Sequence, residues 1–126
     1  MKDLVVNLED QPGMLAAVGE VLGNAGINIE GVCGAVIEGA ESAWVHILVE
    51  NAELATSALE AAGVDYGGER EVEVISLVDQ PGEMGRHLRR AADAGVNIDL
   101  VYLATSTRLV LGSSNVEALR EALHGS

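Results

Sequence analysis

Leu8-Glu9-Asp10-Gln11-Pro12-Gly13 returns 69 residues later as Leu77-Val78-Asp79-Gln80-Pro81-Gly82. A second pair of stretches, Ala25-Gly26-Ile27-Asn28-Ile29-Glu30 and Ala94-Gly95-Val96-Asn97-Ile98-Asp99, stands at the same offset, since 79 − 10 and 97 − 28 are both 69. No insertion or deletion separates the two landmarks, so the chain reads as two copies of one unit fused head to tail, with domains expected at 1–70 and 71–126. A period of 69 exceeds the roughly 20–50 residues of solenoid repeats and suits a small layered unit.

Both copies follow one grammar. Leu4 to Leu8 and Val72 to Val78 are strand-like runs, the second alternating with period two. Pro after each strand predicts a helix whose first turn it occupies, because its missing N–H costs nothing there. Leu15, Val18, Leu22 and Ala25 then share one helical face, as do Met84, Leu88, Ala91 and Ala92. Gly26 and Gly95 supply the left-handed residue that ends many helices. Strands are expected over Ile27 to Ile37 with Ala43 to Val49, and Val96 to Ala104 with Leu109 to Leu111. The turns between them fall at 38–42 and 105–108. Second helices follow over Ala52 to Ala62, with Leu54, Ala58 and Leu59 apolar, and Val116 to Leu123, with Val116, Leu119 and Leu123 apolar; Asn51 and Ser114-Asn115 are natural caps. Gly63 and Val64 are expected to start a last strand in copy one, whereas copy two ends without one. The fold class is α+β: two ferredoxin-like βαββαβ units in tandem, antiparallel sheets with helices on one face, the second unit lacking its last strand. Exposed sheet edges invite pairing, which predicts a homodimer.

Composition narrows function. The formal charge of −13, from 20 acidic and 7 basic side chains, repels nucleic acid and anionic membrane surfaces. No apolar run reaches the roughly 18–20 residues of a membrane span, and the opening apolar run is too short for a secretory signal, so a cytoplasmic protein is expected. Aromatic residues make up 2% of the chain, which leaves Val, Leu, Ile and Ala to fill the core. Cys33 is the only cysteine; it excludes an intrachain disulfide and reads as a small core residue.

Strand, Asp-x-Pro-Gly and an amphipathic helix ending in Ala-Gly-(Ile/Val)-Asn-Ile-(Glu/Asp) resembles the ACT domain, and its repetition resembles free-standing tandem ACT proteins that bind amino acids. The resemblance implies a non-catalytic regulatory sensor that holds an amino acid at the interface between ACT units. An alternative is a regulatory subunit that docks on an amino-acid biosynthetic enzyme and has no ligand of its own. The residues it implies as ligand-binding are Asp10, Gln11, Pro12, Gly13, Met14, Leu15, Asn28 and Ile29 in copy one. In copy two they are Asp79, Gln80, Gly82, Glu83, Met84, Asn97, Ile98 and Tyr102. The chemistry of the corner is compatible with this. A helix N-terminus offers unpaired amides to a carboxylate, glycine permits close approach, and the Asp carboxylates suit an ammonium group. The same residues have structural readings: Asp10 and Asp79 as helix caps, Asn28 and Asn97 as turn residues.

Other chemistry finds little support. His46, His87 and His124 show no metal-ligand spacing, and no nucleophile, phosphate-loop or dinucleotide motif is present, so neither a metal, a cofactor nor an enzymatic activity is expected. His87 replaces Val18 and reads as a partly buried packing residue. Arg86, Arg89 and Arg90 read as a solvated helix face, with an anionic contact as the alternative.

Overall fold

The computed structural model describes residues 1–125. Contacts divide it into two compact units, Met1–Arg70 and a second beginning at Glu71. Unit 1 contains β1 (Lys2–Glu9), α1 (Met14–Asn24), β2 (Gly31–Gly34), β3 (Ser42–Val49), α2 (Ala52–Ala61) and β4 (Tyr66–Glu71), with strands in the order β4-β1-β3-β2. Unit 2 contains β5 (Glu73–Ser76), α3 (Glu83–Asp93), β6 (Leu100–Ala104), β7 (Arg108–Gly112) and α4 (Val116–His124), ordered β6-β7-β5. The architecture is the ferredoxin-like α+β arrangement, and among the described residues no strand follows α4.

Period-two alternation decides which face the helices cover. Leu4, Val6 and Leu8 of β1 pair with Ile47, Val45 and Ala43 of β3, and these side chains meet Val18 and Leu22 of α1 and Ala52, Ala55 and Leu59 of α2. In unit 2, Ile75, Leu109 and Leu111 meet Ala91 of α3 and Leu119 and Leu123 of α4. Each Leu or Val fully buried in these layers contributes about 1.5–3 kcal/mol. Leu15 and Leu54 depart from the helical-face expectation at 57% and 45% exposed, since each points past the edge of the face that meets the sheet.

The helix ends show why the predicted strands begin too early. The Ile27 amide donates to the Leu22 carbonyl at 2.9 Å and that of Gly26 to Gly23 at 3.0 Å, with Gly26 left-handed at φ 77°. This is a Schellman ending, and Ala91, Ala92, Gly95 and Val96 repeat it. Ile27 and Val96 are therefore spent on closing helices, so β2 starts at Gly31 and β6 at Leu100. Gly63 does the same for α2 with φ 74°, and the last strand of unit 1 begins at Tyr66 instead of Gly63. Asn51 and Asn115 cap α2 and α4 as the sequence predicts, accepting from the amides of Leu54 and Ala118 at 3.1 Å each. Cys33 is exposed, contrary to the core reading; it stands opposite His46, on the sheet face away from the helices.

Candidate functional site

The two strand-to-helix corners share one geometry. Gly13 is the N-cap of α1 at φ 90°, ψ −14°, and Gly82 that of α3 at φ 89°, ψ −12°. That left-handed conformation strains any residue with a Cβ, which is why glycine stands here. Pro12 precedes the cap, outside the first helical turn where the sequence placed it. Neither helix has a side-chain cap, so Asp10 and Asp79 do not serve as one. Gln11 Nε2 donates to Glu9 Oε2 at 2.8 Å and lies 3.6 Å from Met14 Sδ.

An open cleft of about 200 Å³ lies beside the unit 1 corner, lined by Leu8, Glu9, Asp10, Gln11, Met14, Leu15, Gly34, Ala35, Val36, Ala43 and Val45. Its floor is aliphatic and its rim carries two carboxylates and an amide. The start of α1 adds first-turn amides that have no intrahelical acceptor. Of the sequence-predicted residues, Asp10, Gln11, Met14 and Leu15 line this cleft, with Pro12 and Gly13 forming the turn between them.

The sequence does not predict the wall built from Gly34 to Val36 and from Ala43 and Val45. It forms because β2 and β3 are antiparallel, with Gly34 opposite Val45, which returns the 35–41 loop to the corner. The missing signal was the absent side chain at Gly34: a Cβ there would stand 3.0 Å from Val45 Cγ2.

Asn28 and Ile29 lie at the other end of the unit. The Glu30 amide bonds the Leu48 carbonyl beside the start of β1, while the Asp10 amide bonds Glu41 at its finish. The eight residues of β1 set these ends about 25 Å apart. Asn28 Nδ2 donates to Glu30 Oε2. Asn97 and Ile98 are placed likewise, next to Asp99, whose amide bonds Gly112. Within one unit, then, the Asp corner and the Asn turn are not brought together.

The unit 2 corner is chemically different. Asp79, Gln80 and Gly82 are exposed, and Gln80 Nε2 and Arg86 Nη2 both donate to the Glu83 carboxylate, at 3.1 and 2.9 Å. The Arg86 and Gln80 bonds hold the Glu83 carboxyl below its ordinary range. Met84 packs against the unit 2 core. Leu103 occupies the position of Gly34, as 103 − 34 is 69. Tyr102 pairs with Val110 on the face away from the α3–α4 core and is 7% exposed. Among the described residues, no three His, Cys, Asp or Glu side chains are grouped as a metal ion requires, and no helix is long and apolar enough to cross a membrane.

Residues 2–62 match the ACT domain family model. Protein BT0572 from Bacteroides thetaiotaomicron superposes with a TM-score of 0.84 at 29% identity, covering 97% of this chain and 85% of that one. The regulatory subunit of aspartate kinase from Thermus thermophilus, in a ligand-free form, gives 0.71 at 22% identity over 98% and 89% of the two chains. That from Thermus flavus gives 0.64 at 20%, with the same coverage. The last two show the shared fold. No curated protein matches the sequence.

Proposed function

We propose that this chain is a non-catalytic regulatory sensor of the tandem ACT type, with 1–70 and 71–126 as its two ACT domains, that binds an amino acid with an aliphatic side chain at the unit 1 corner. The observation that carries this is the cleft itself: an aliphatic floor beside a helix start, under the Glu9 and Asp10 carboxylates. A ligand carboxylate meets the amides after Gly13, its ammonium meets the acidic rim, and its side chain meets Leu8, Met14, Val36 and Val45. The cleft is open on one side, which suits closure by a second copy of the chain in a cytoplasmic homodimer whose Asn28 or Asn97 turn completes the contacts. Binding acts through differential affinity for two arrangements of the units.

Thermal-shift measurements with the twenty amino acids test the reading. Stabilisation by aliphatic ones at millimolar concentration, lost in Asp10→Ala while the variant stays folded, is the expected result; ligand at 100 times its Kd stabilises by about 2.7 kcal/mol. No shift with any amino acid overturns it. The second reading, a subunit that docks on a biosynthetic enzyme, is favoured by the exposed Leu15, Val32, Val36 and Ile37, the last 77% exposed. It predicts enzyme capture that is indifferent to Asp10→Ala.

A further inference from the structure

Two open spaces flank the β1–α1 corner of unit 1, and they share a wall. One is the cleft. The other, of about 380 Å³, has a lining that includes Ala17 and Val18 of α1 with Ala62, Val64 and Asp65 from the segment between α2 and β4. Leu8, Glu9 and Met14 line both spaces. Leu8 is a core residue, 6% exposed, and forms floor common to the two. Glu9 ends β1 and stands exposed at the rim. Met14 opens α1, is half-buried and packs against the core, so it is the one shared side chain that comes from the helix. Gln11 Nε2 donates to Glu9 Oε2 at 2.8 Å and stands 3.6 Å from Met14 Sδ, which holds the thioether at the boundary.

We propose that Met14 is the specificity-determining residue of the cleft: its side chain divides the cleft from the second cavity and so limits the length of the ligand side chain. This rests on the reading of the cleft as an amino-acid site. A linear aliphatic tail that enters over Leu8 runs along the floor until it meets Met14, and beyond Met14 the space continues beside Val18 and Val64. Each methylene buried before that point tightens binding about fourfold. The next one must displace the thioether or fold back, and overpacking of that kind reverses the gain. The far cavity is largely aliphatic, and the only ionisable groups in its lining are the Glu9 and Asp65 carboxylates, so it suits an uncharged tail and repels one that ends in a carboxylate.

Calorimetric titration of the whole chain with straight-chain α-amino acids, from alanine through norleucine to longer homologues, tests this. In the unaltered protein, Kd is expected to fall with chain length, pass a minimum and rise. Met14→Ala removes about three non-hydrogen atoms and joins the two spaces. Its minimum should move to a tail about three carbons longer, which it binds at least about tenfold tighter than the unaltered protein does. Met14→Leu keeps the bulk and should keep the original optimum. Ala17→Leu added to Met14→Ala narrows the far cavity and should return the optimum to shorter tails. An unchanged optimum in Met14→Ala, or a Kd that keeps falling with length in the unaltered protein, overturns the assignment of Met14 and leaves amino-acid binding in place. No binding of any homologue to either protein overturns both. Should Met14→Ala fail to fold, Met14→Val decides: an optimum about one to two carbons longer supports the assignment, and an unchanged one overturns it.

Discussion

His87→Val should stabilise the protein, and more so in acid. His87 sits on α3 where α1 has Val18, 69 residues earlier, and Val18 is 1% exposed. The imidazole is 13% exposed, with Nε2 3.3 Å from Arg86 Nη2. Arginine only donates, so Nε2 accepts and the neutral ring carries its proton on Nδ1. That nitrogen is buried without a hydrogen-bond partner. An orphaned buried donor costs about 1–3 kcal/mol. Valine removes it and loses about 1 kcal/mol of packing volume, leaving a net gain of about 1 kcal/mol near pH 7.5. Burial, and then the charge of Arg86, push the His87 pKa below its ordinary value, with Arg90 and His124 adding and Glu83 opposing. A group whose folded pKa is depressed in this way resists protonation in the native state. The unfolded chain therefore binds the extra proton first, and native stability falls as pH drops below about 6.5. Urea denaturation of both proteins at pH 7.5 and pH 5 provides the assay. The valine variant should have the higher midpoint at pH 7.5, and the gap should widen at pH 5. A gap that narrows on acidification, or a destabilised variant at both pH values, would refute the assignment of His87 as a buried neutral base.

Gly67→Ala should dislodge Trp44, because a Cβ at Gly67 would stand 2.4 Å from the indole Cζ3; a loss of about 1–3 kcal/mol and a red-shifted emission from the only tryptophan are expected, and unchanged fluorescence refutes the contact. Asn51→Ala and Asn115→Ala each remove a helix cap and should cost about 1 kcal/mol in denaturant titrations, whereas Asp10→Ala, which caps nothing, should cost less than half of that. Thr107 has φ 52° in the β6–β7 turn, a conformation that β-branched residues disfavour, so Thr107→Gly should raise stability by up to about 1 kcal/mol, read as a higher melting midpoint.

The elements that were legible are those fixed by local chemistry. The 69-residue offset, Asn51 and Asn115 as caps, and Gly26 and Gly95 as helix terminators all depend on a few neighbouring residues. Ile27 and Val96 misled because a β-branched residue after a left-handed glycine looks the same whether it opens a strand or closes a helix. The Leu22 carbonyl decides, and it is five residues away. The Asp10 to Leu15 side of the cleft could be read from the helix start, but the Gly34 to Val36 side depends on the β2–β3 register, which no local signal fixes. The exposure of Cys33 is not legible for a related reason: in the four residues of β2 only Gly31 is buried, and even Val32, opposite the core residue Ile47, is 51% exposed, so alternation along the strand does not decide burial there.

Comparing the copies at the fixed offset separates what the fold needs from what the site needs. Gly13 and Gly82, with φ near 90° in both, persist because the corner cannot be made otherwise, so their repetition carries no information about ligands. The informative positions are those where the corner is kept and the chemistry changes. Met14 becomes Glu83, now bonded to Arg86 and Gln80, and Gly34, whose missing side chain opens the cleft, becomes Leu103. An ion pair lying across a helix start occupies the field that would otherwise favour a ligand carboxylate, and a leucine at the Gly34 position removes the space for its side chain. Both changes act in one direction. Unit 2 keeps the scaffold and gives up the two features by which a zwitterion would be held, so in the proposed sensor the working cleft belongs to unit 1. A Gly34→Leu variant would then carry the unit 2 residue into that cleft and should abolish the thermal shift produced by an aliphatic amino acid, whereas a full shift in that variant would place binding elsewhere.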